Sequence, residues 1–201
     1  ILNSWFLGVQ AGPAMADVLF GDVNPSGRLT TTFPRSVGQL PMSYNHKNTG
    51  RPSLPEDAHY IRFRSNYQDV VNAPLYPFGY GLSYTSFEYS DVKLSANSMK
   101  EDGKIIASVI VKNTGIRKGK ETVQMYIHDE YSTSTRPVKE LKGFQQIELE
   151  PGESKTVCFD ITAEQLKYFN HDLQYVCEPG NFDVMIGPNS RDLKQSRFEL
   201  K

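Results

Sequence analysis

The groups in this 201-residue chain that could do chemistry are its carboxylates, four histidines and two cysteines. Their spacing argues against most reactions. Glu56-Asp57 and Asp129-Glu130 are adjacent acidic pairs in polar surroundings and read as solvated. His128-Asp129 could open a metal site, but no second His or Cys stands at ligand spacing, so no metal is expected. His46, His59 and His171 stand apart from any nucleophile pattern. There is no phosphate loop, no G-x-S-x-G and no C-x-x-C, and no cofactor is expected. Cys158 falls out of phase with its apolar neighbours Val157, Phe159 and Ile161, and Cys177 follows Tyr175. One surface thiol and one buried thiol fit this better than a disulfide. One polar pattern remains. Tyr60, Arg62, Phe63, Arg64 and Tyr67 interleave aromatic and basic residues. Aromatic faces and Arg donors suit a polyhydroxylated ligand, so Tyr60, Arg62, Arg64 and Tyr67 are the candidate binding residues. The competing reading is a loop wrapped for structural reasons alone.

These residues need elements to position them. Residues 1–9 are a short apolar piece. Ala14, Met15, Val18 and Leu19 recur at helical spacing after Gly12-Pro13 and before Gly21, which predicts a short helix with one apolar stripe. NPSG (24–27) is a turn, and LTTTF (29–33) predicts a short strand. A long polar loop follows to residue 73. Pro74 to Thr85, PLYPFGYGLSYT, holds four aromatics, two prolines and two glycines. Its prolines exclude a regular element, and its rings must lie against something. It therefore predicts an ordered connection between two packed bodies. From Ser86 the period becomes two. Ile105/Ala107/Val109/Val111, Val123/Met125/Ile127, Leu141/Phe144/Ile147/Leu149, Val157/Phe159/Ile161, Phe182 to Ile186 and Phe198/Leu200 mark strands. Short strands with regular turn signals predict an antiparallel β-sandwich. Net charge is −1, which gives no reason to expect nucleic acid. No apolar run approaches the roughly 20 residues of a membrane span. No basic stretch followed by an apolar one opens the sequence, so no secretion signal is expected within it.

PLYPFGYGLSYT resembles the segment joining the last two domains of family 3 glycoside hydrolases, the β-glucosidase and β-xylosidase group. AGPAMADVLFGDVNPSGRLTTTFPRS (11–36) resembles the end of that family's α/β sandwich domain. VIVKNTG, ETVQMYIHD, RPVKELKGFQQIELEPGESKTV and EPGNFDVMIG resemble its C-terminal fibronectin type III-like domain. The resemblance implies a mainly β fold: a fibronectin type III/immunoglobulin-like antiparallel β-sandwich over 86–201. Before it come an α/β remnant (1–45) with one helix and a short strand, and an ordered connecting loop (46–85). It implies a nucleophile Asp in a barrel and an acid/base Glu in the α/β domain, and neither role maps onto a residue here. The chain is therefore expected to be an inactive scaffold in a glycosidase acting on β-linked glucosides or related oligosaccharides, periplasmic or extracellular. Its expected partners are the remaining domains of that protein and, through their active site, its oligosaccharide. The helix stripe should lie on the sandwich or on the same segment of a second copy, the latter being favoured. A free-standing carbohydrate- or protein-binding module is the alternative, and a structural spacer a third reading.

Overall fold

A computed structural model describes residues 1–52 and 60–201. Helix α1 (Ala11–Phe20) ends at Gly21, whose φ of +87° lets its N–H reach back to the carbonyls of Asp17 and Val18. After it, Ser36 and Gln39 form a reciprocal capping box on a short 3₁₀ turn, Val37–Gln39. The expected strand at 29–33 does not form. Only Phe33 bridges to Tyr76, while Leu29 and the Gly79–Tyr80 segment exchange backbone hydrogen bonds. Its partner is PLYPFGY, where Pro74 and Pro77 cannot donate, so no continuous ladder is available.

The sandwich begins with β1 (Phe87–Tyr89), β2 (Lys93–Leu94), β3 (Ser98–Met99), β4 (Lys104–Asn113) and β5 (Gly119–Asp129). It continues through β6 (Glu140–Leu149), β7 (Ser154–Thr162), α2 (Ala163–Leu166), β8 (Tyr168–Phe169), β9 (Tyr175–Val176), β10 (Gly180–Gly187) and β11 (Lys194–Leu200). In one sheet β4 is central, with β7 on one side and β1 and β2 in succession on the other. The second runs β3-β11-β10-β5-β6, antiparallel except where β3 meets β11. β8 and β9 make a separate small hairpin.

Alternation along β4 sends Ile105, Ala107, Val109 and Val111 inward, and β7 adds Val157, Phe159 and Ile161. They meet Val123, Met125, Ile127, Leu149, Phe182, Val184, Ile186, Phe198 and Leu200 of the other sheet in one core. Cys158 faces solvent, Cys177 packs partly against the core, and the two are not bonded. One phase differs from the sequence pattern. The β5–β6 register shifts between Met125 and Tyr126, opposite Gly143. That bulge puts Leu141, opposite Tyr126, on the outer face, and Phe144, out of phase with buried Ile147 and Leu149, points outward as well and is exposed.

The outer face of β5 is not solvated either. Gln124 and Tyr126, at the alternate phase, are buried because residues 1–85, hereafter the arm, lie across them. Tyr44 packs edge-on to Tyr126 and stacks on Phe78, with ring centroids 5.7 and 4.3 Å apart. Ser190 N–H donates to Phe78 O, and Val138 N–H donates to His46 O. The arm is thus part of the sandwich's packing.

Candidate functional site

The aromatic–basic loop is built by side-chain amides. Asn66 accepts from Ile61 N–H at 3.0 Å and donates to the carbonyls of Ile61 and Arg64. Asn72 accepts from Tyr67 N–H and donates to Ser65 O at 2.8 Å. Both use the capacity of a short amide to imitate a backbone partner. Ser65 N–H donates to Arg51 O, and Pro52 bridges to Ser65. The 67–71 part of the loop is tied to buried Gln39, whose side-chain oxygen accepts from Arg35 and Ser36 N–H while its amide donates to Val71 O at 2.8 Å. Gln39 is not among the residues that the sequence singles out. Its one signal there is the S-x-x-Q spacing from Ser36.

This frame divides the four candidates. The Arg64 guanidinium donates to Pro52 O at 2.8 Å and the Tyr67 hydroxyl to Gln39 O at 3.3 Å, so both tie the loop down. Tyr60 is half exposed, and Arg62 lies with its guanidinium 4.8 Å from the ring centre of exposed Phe63. Glu56, Asp57 and His59 lie outside the described residues.

A second polar cluster sits where the arm meets the sandwich. Buried Glu121 accepts from Arg28 at 2.7 Å and from the Tyr89 hydroxyl at 2.9 Å, beside a cleft of about 280 Å³. Burial raises the Glu121 carboxyl above its ordinary range, with the Arg28 charge pulling the other way. Burial, with Glu121 beside it, also pushes the Tyr89 phenol far up. Asp129, expected to be solvated, is instead buried facing Arg136, with the nearest atoms 3.9 Å apart. Burial raises its pKa despite that cation. His128 is engaged by the backbone. Its Nδ1 lies 3.2 Å from Pro137 O, and among the described residues no group of three ligating side chains could hold a metal. Asp183 is different. Burial works against its charge, but hydrogen bonds from Arg197 and Gln195 together with the Arg197 charge outweigh this and hold it below the usual range. Cys177 is pushed up to about 11 by burial, with Glu101 and Asp129 adding to it, which disfavours the thiolate at neutral pH.

The arm and the sandwich each match a described family. Residues 1–84 match the glycosyl hydrolase family 3 C-terminal domain, and residues 121–190 match the fibronectin type III-like domain. This chain belongs to glycosyl hydrolase family 3. It is 56% identical over 200 residues to a periplasmic β-glucosidase of Salmonella typhimurium, covering all of this chain and 26% of that protein. It is 47% identical over 201 residues to a putative β-xylosidase of Formosa agariphila, covering 25% of it. The solved β-glucosidase of Listeria innocua in complex with glucose is 42% identical and superposes with a TM-score of 0.91 over 98% of this chain and 27% of its own. The chain therefore spans about a quarter of the length of the relatives it matches, and corresponds to their C-terminal part.

Proposed function

We propose that the protein to which this chain belongs is a β-glucosidase-type hydrolase of β-linked glucosides or related oligosaccharides. In it, these residues serve as scaffold and lend the 60–67 loop to a sugar site formed elsewhere. One observation carries the scaffold reading. Among the described residues, the carboxylates with the least exposed side chains each face a cation: Glu121 faces Arg28, Asp129 faces Arg136, and Asp183 faces Arg197. Hydrolysis of a glycoside needs two carboxyl groups opposed across a sugar, about 5–5.5 Å apart for retention of configuration. Each of these three is engaged by an arginine of the same chain, which supports a structural role for it. Tyr60, Arg62, Arg64 and Tyr67 remain the binding residues of this reading, the first two by contact and the last two by holding the loop. Kinship with a periplasmic relative supports a periplasmic or extracellular place of action.

The reading also gives the exposed apolar segment a partner. Trp5, Phe6, Val9, Leu19 and Phe20 are exposed, and no residue of α1 is buried. The remaining domains of the protein would cover this face. The test is an assay of the isolated 201-residue chain against aryl β-glucosides and β-xylosides, expected to show no turnover. Activity that survives repurification and vanishes on substitution of one of its own carboxylates would refute the scaffold role.

A further inference from the structure

The outer end of the loop pairs an unfavourable backbone with an exposed ring. Ile61 to Arg64 form a four-residue turn, closed by Arg64 N–H donating to Ile61 O at 3.2 Å. Phe63 stands at its third position with φ +66°. That position ordinarily takes glycine or asparagine, and a bulky side chain in the left-handed region is an outlier. The conformation is imposed from both sides, by the Asn66 amide on Ile61 and Arg64 and by Arg64 on Pro52. Yet the ring gains little from it, because Phe63 is 68% exposed. Strain of this kind persists where the surroundings over-determine it, and it concentrates at functional sites. The ring is also dressed on one side. The Arg62 guanidinium lies over one face, within cation–π range, and makes no hydrogen bond among the described residues. Among the described residues no other aromatic or cation–π partner meets the ring, and Arg62 is exposed.

Resting on the reading of this loop as part of a sugar site, we infer that Phe63 joins Arg62 in contacting the sugar. The ligand class is a β-linked gluco-oligosaccharide. The apolar face of one sugar ring stacks on the free face of Phe63, and Arg62 donates to its hydroxyls. Residue type alone favours Arg64 and Tyr67 over Phe63 as binding residues. The hydrogen bonds of Arg64 and Tyr67 give those two the task of positioning instead.

The test uses Phe63→Asn, because asparagine accepts positive φ and keeps the turn while removing the ring. In the isolated chain the thermal midpoint should be unchanged or higher. A clear fall would show that the ring packs for stability, and would overturn the assignment. In the full-length protein carrying this chain, titration with laminaribiose and cellotriose should show binding weakened about tenfold, which is about 1.4 kcal/mol. Arg62→Gln should weaken the same binding and leave the midpoint alone. Wild-type affinity in Phe63→Asn, with binding intact in the parent, would overturn this assignment while sparing the loop reading. A parent that hydrolyses aryl glucosides but binds neither oligosaccharide would overturn the loop reading and the assignment together. Altered domain association in Phe63→Asn, seen by small-angle scattering, would assign the ring to a domain contact instead and refute it.

Discussion

Gly79→Ala should be far more damaging than its single methyl suggests. Gly79 has φ +80°, and a Cβ at this position would collide with Gln124 Oε1 and lie 2.7 Å from Nε2. Gln124 cannot simply swing aside. It is buried, its amide donates to Gly79 O at 3.2 Å and to Pro188 O at 2.6 Å, and its oxygen accepts from the Tyr126 hydroxyl at 2.6 Å. The left-handed backbone alone costs alanine roughly 1–2 kcal/mol. Displacing Gln124 leaves buried polar groups unpaired, at about 1–3 kcal/mol for each group so stranded. The expected total is about 3–5 kcal/mol. Gly152 provides the control. Its φ is +78°, but no atom lies within 4 Å of where an added methyl would stand, so Gly152→Ala carries the backbone cost alone. Urea unfolding followed by circular dichroism measures both, and chymotrypsin cleavage in the aromatic arm reports whether it has come loose. If Gly79→Ala lies within about 1 kcal/mol of Gly152→Ala and the arm stays protected, the account of Gln124 as a rigid anchor is wrong.

Two further perturbations probe the same junction and the face beside it. Arg28→Met strands Glu121 as an uncompensated buried carboxylate, and should cost about 3–5 kcal/mol near pH 7. Because the folded Glu121 pKa lies above its unfolded value near 4.5, its carboxyl contributes most below that value and loses stability as pH rises through the folded pKa. The cost of Arg28→Met should therefore shrink toward pH 4, and a pH-independent cost in urea titrations would count against the pair. The apolar face of residues 1–23 should make the isolated chain self-associate at micromolar concentration, and deletion of 1–23 should abolish this. Sedimentation showing a strict monomer for the intact chain would exclude it.

The two-residue period is enough to place the sandwich. Val157, Phe159 and Ile161 are buried while Cys158 between them faces solvent, as alternation requires. Period fails where the geometry is not local. Phe144 stands three residues before buried Ile147 with regular pairing between them, so it faces outward, and the bulge at Lys142 puts Leu141 on that outer face too. Asp129 reads as solvated beside Glu130, yet burial depends on Arg136 and the 131–139 connection folding over it. The candidate loop shows the same limit. Residue type points to Tyr60, Arg62, Arg64 and Tyr67 alike. Which of them face outward is decided by Asn66, Asn72 and Gln39, whose partners lie up to 32 residues away. The odd backbone of Phe63 leaves no trace in composition.

The arm and the sandwich also show why a boundary drawn from composition need not be a physical seam. The arm's one α-helix, α1, buries none of its residues. What fixes its middle section are three anchors on or beside one strand. Glu121 takes Arg28, Gln124 takes the Gly79 carbonyl, and Tyr126 takes Tyr44, with Leu141 N–H donating to the Tyr44 hydroxyl at 3.3 Å. Just ahead of β5, Asn24 donates to Lys118 O and accepts from Ser83 and Tyr84, cinching both ends of the arm at once. β5 is also the strand that carries Val123, Met125 and Ile127 into the core. A change that loosens the core therefore moves the arm's anchors. Through Gln39 and Tyr44 the same frame reaches the loop that carries Arg62 and Phe63. If that loop contacts a sugar as proposed, its position is set through this frame by the β-sandwich.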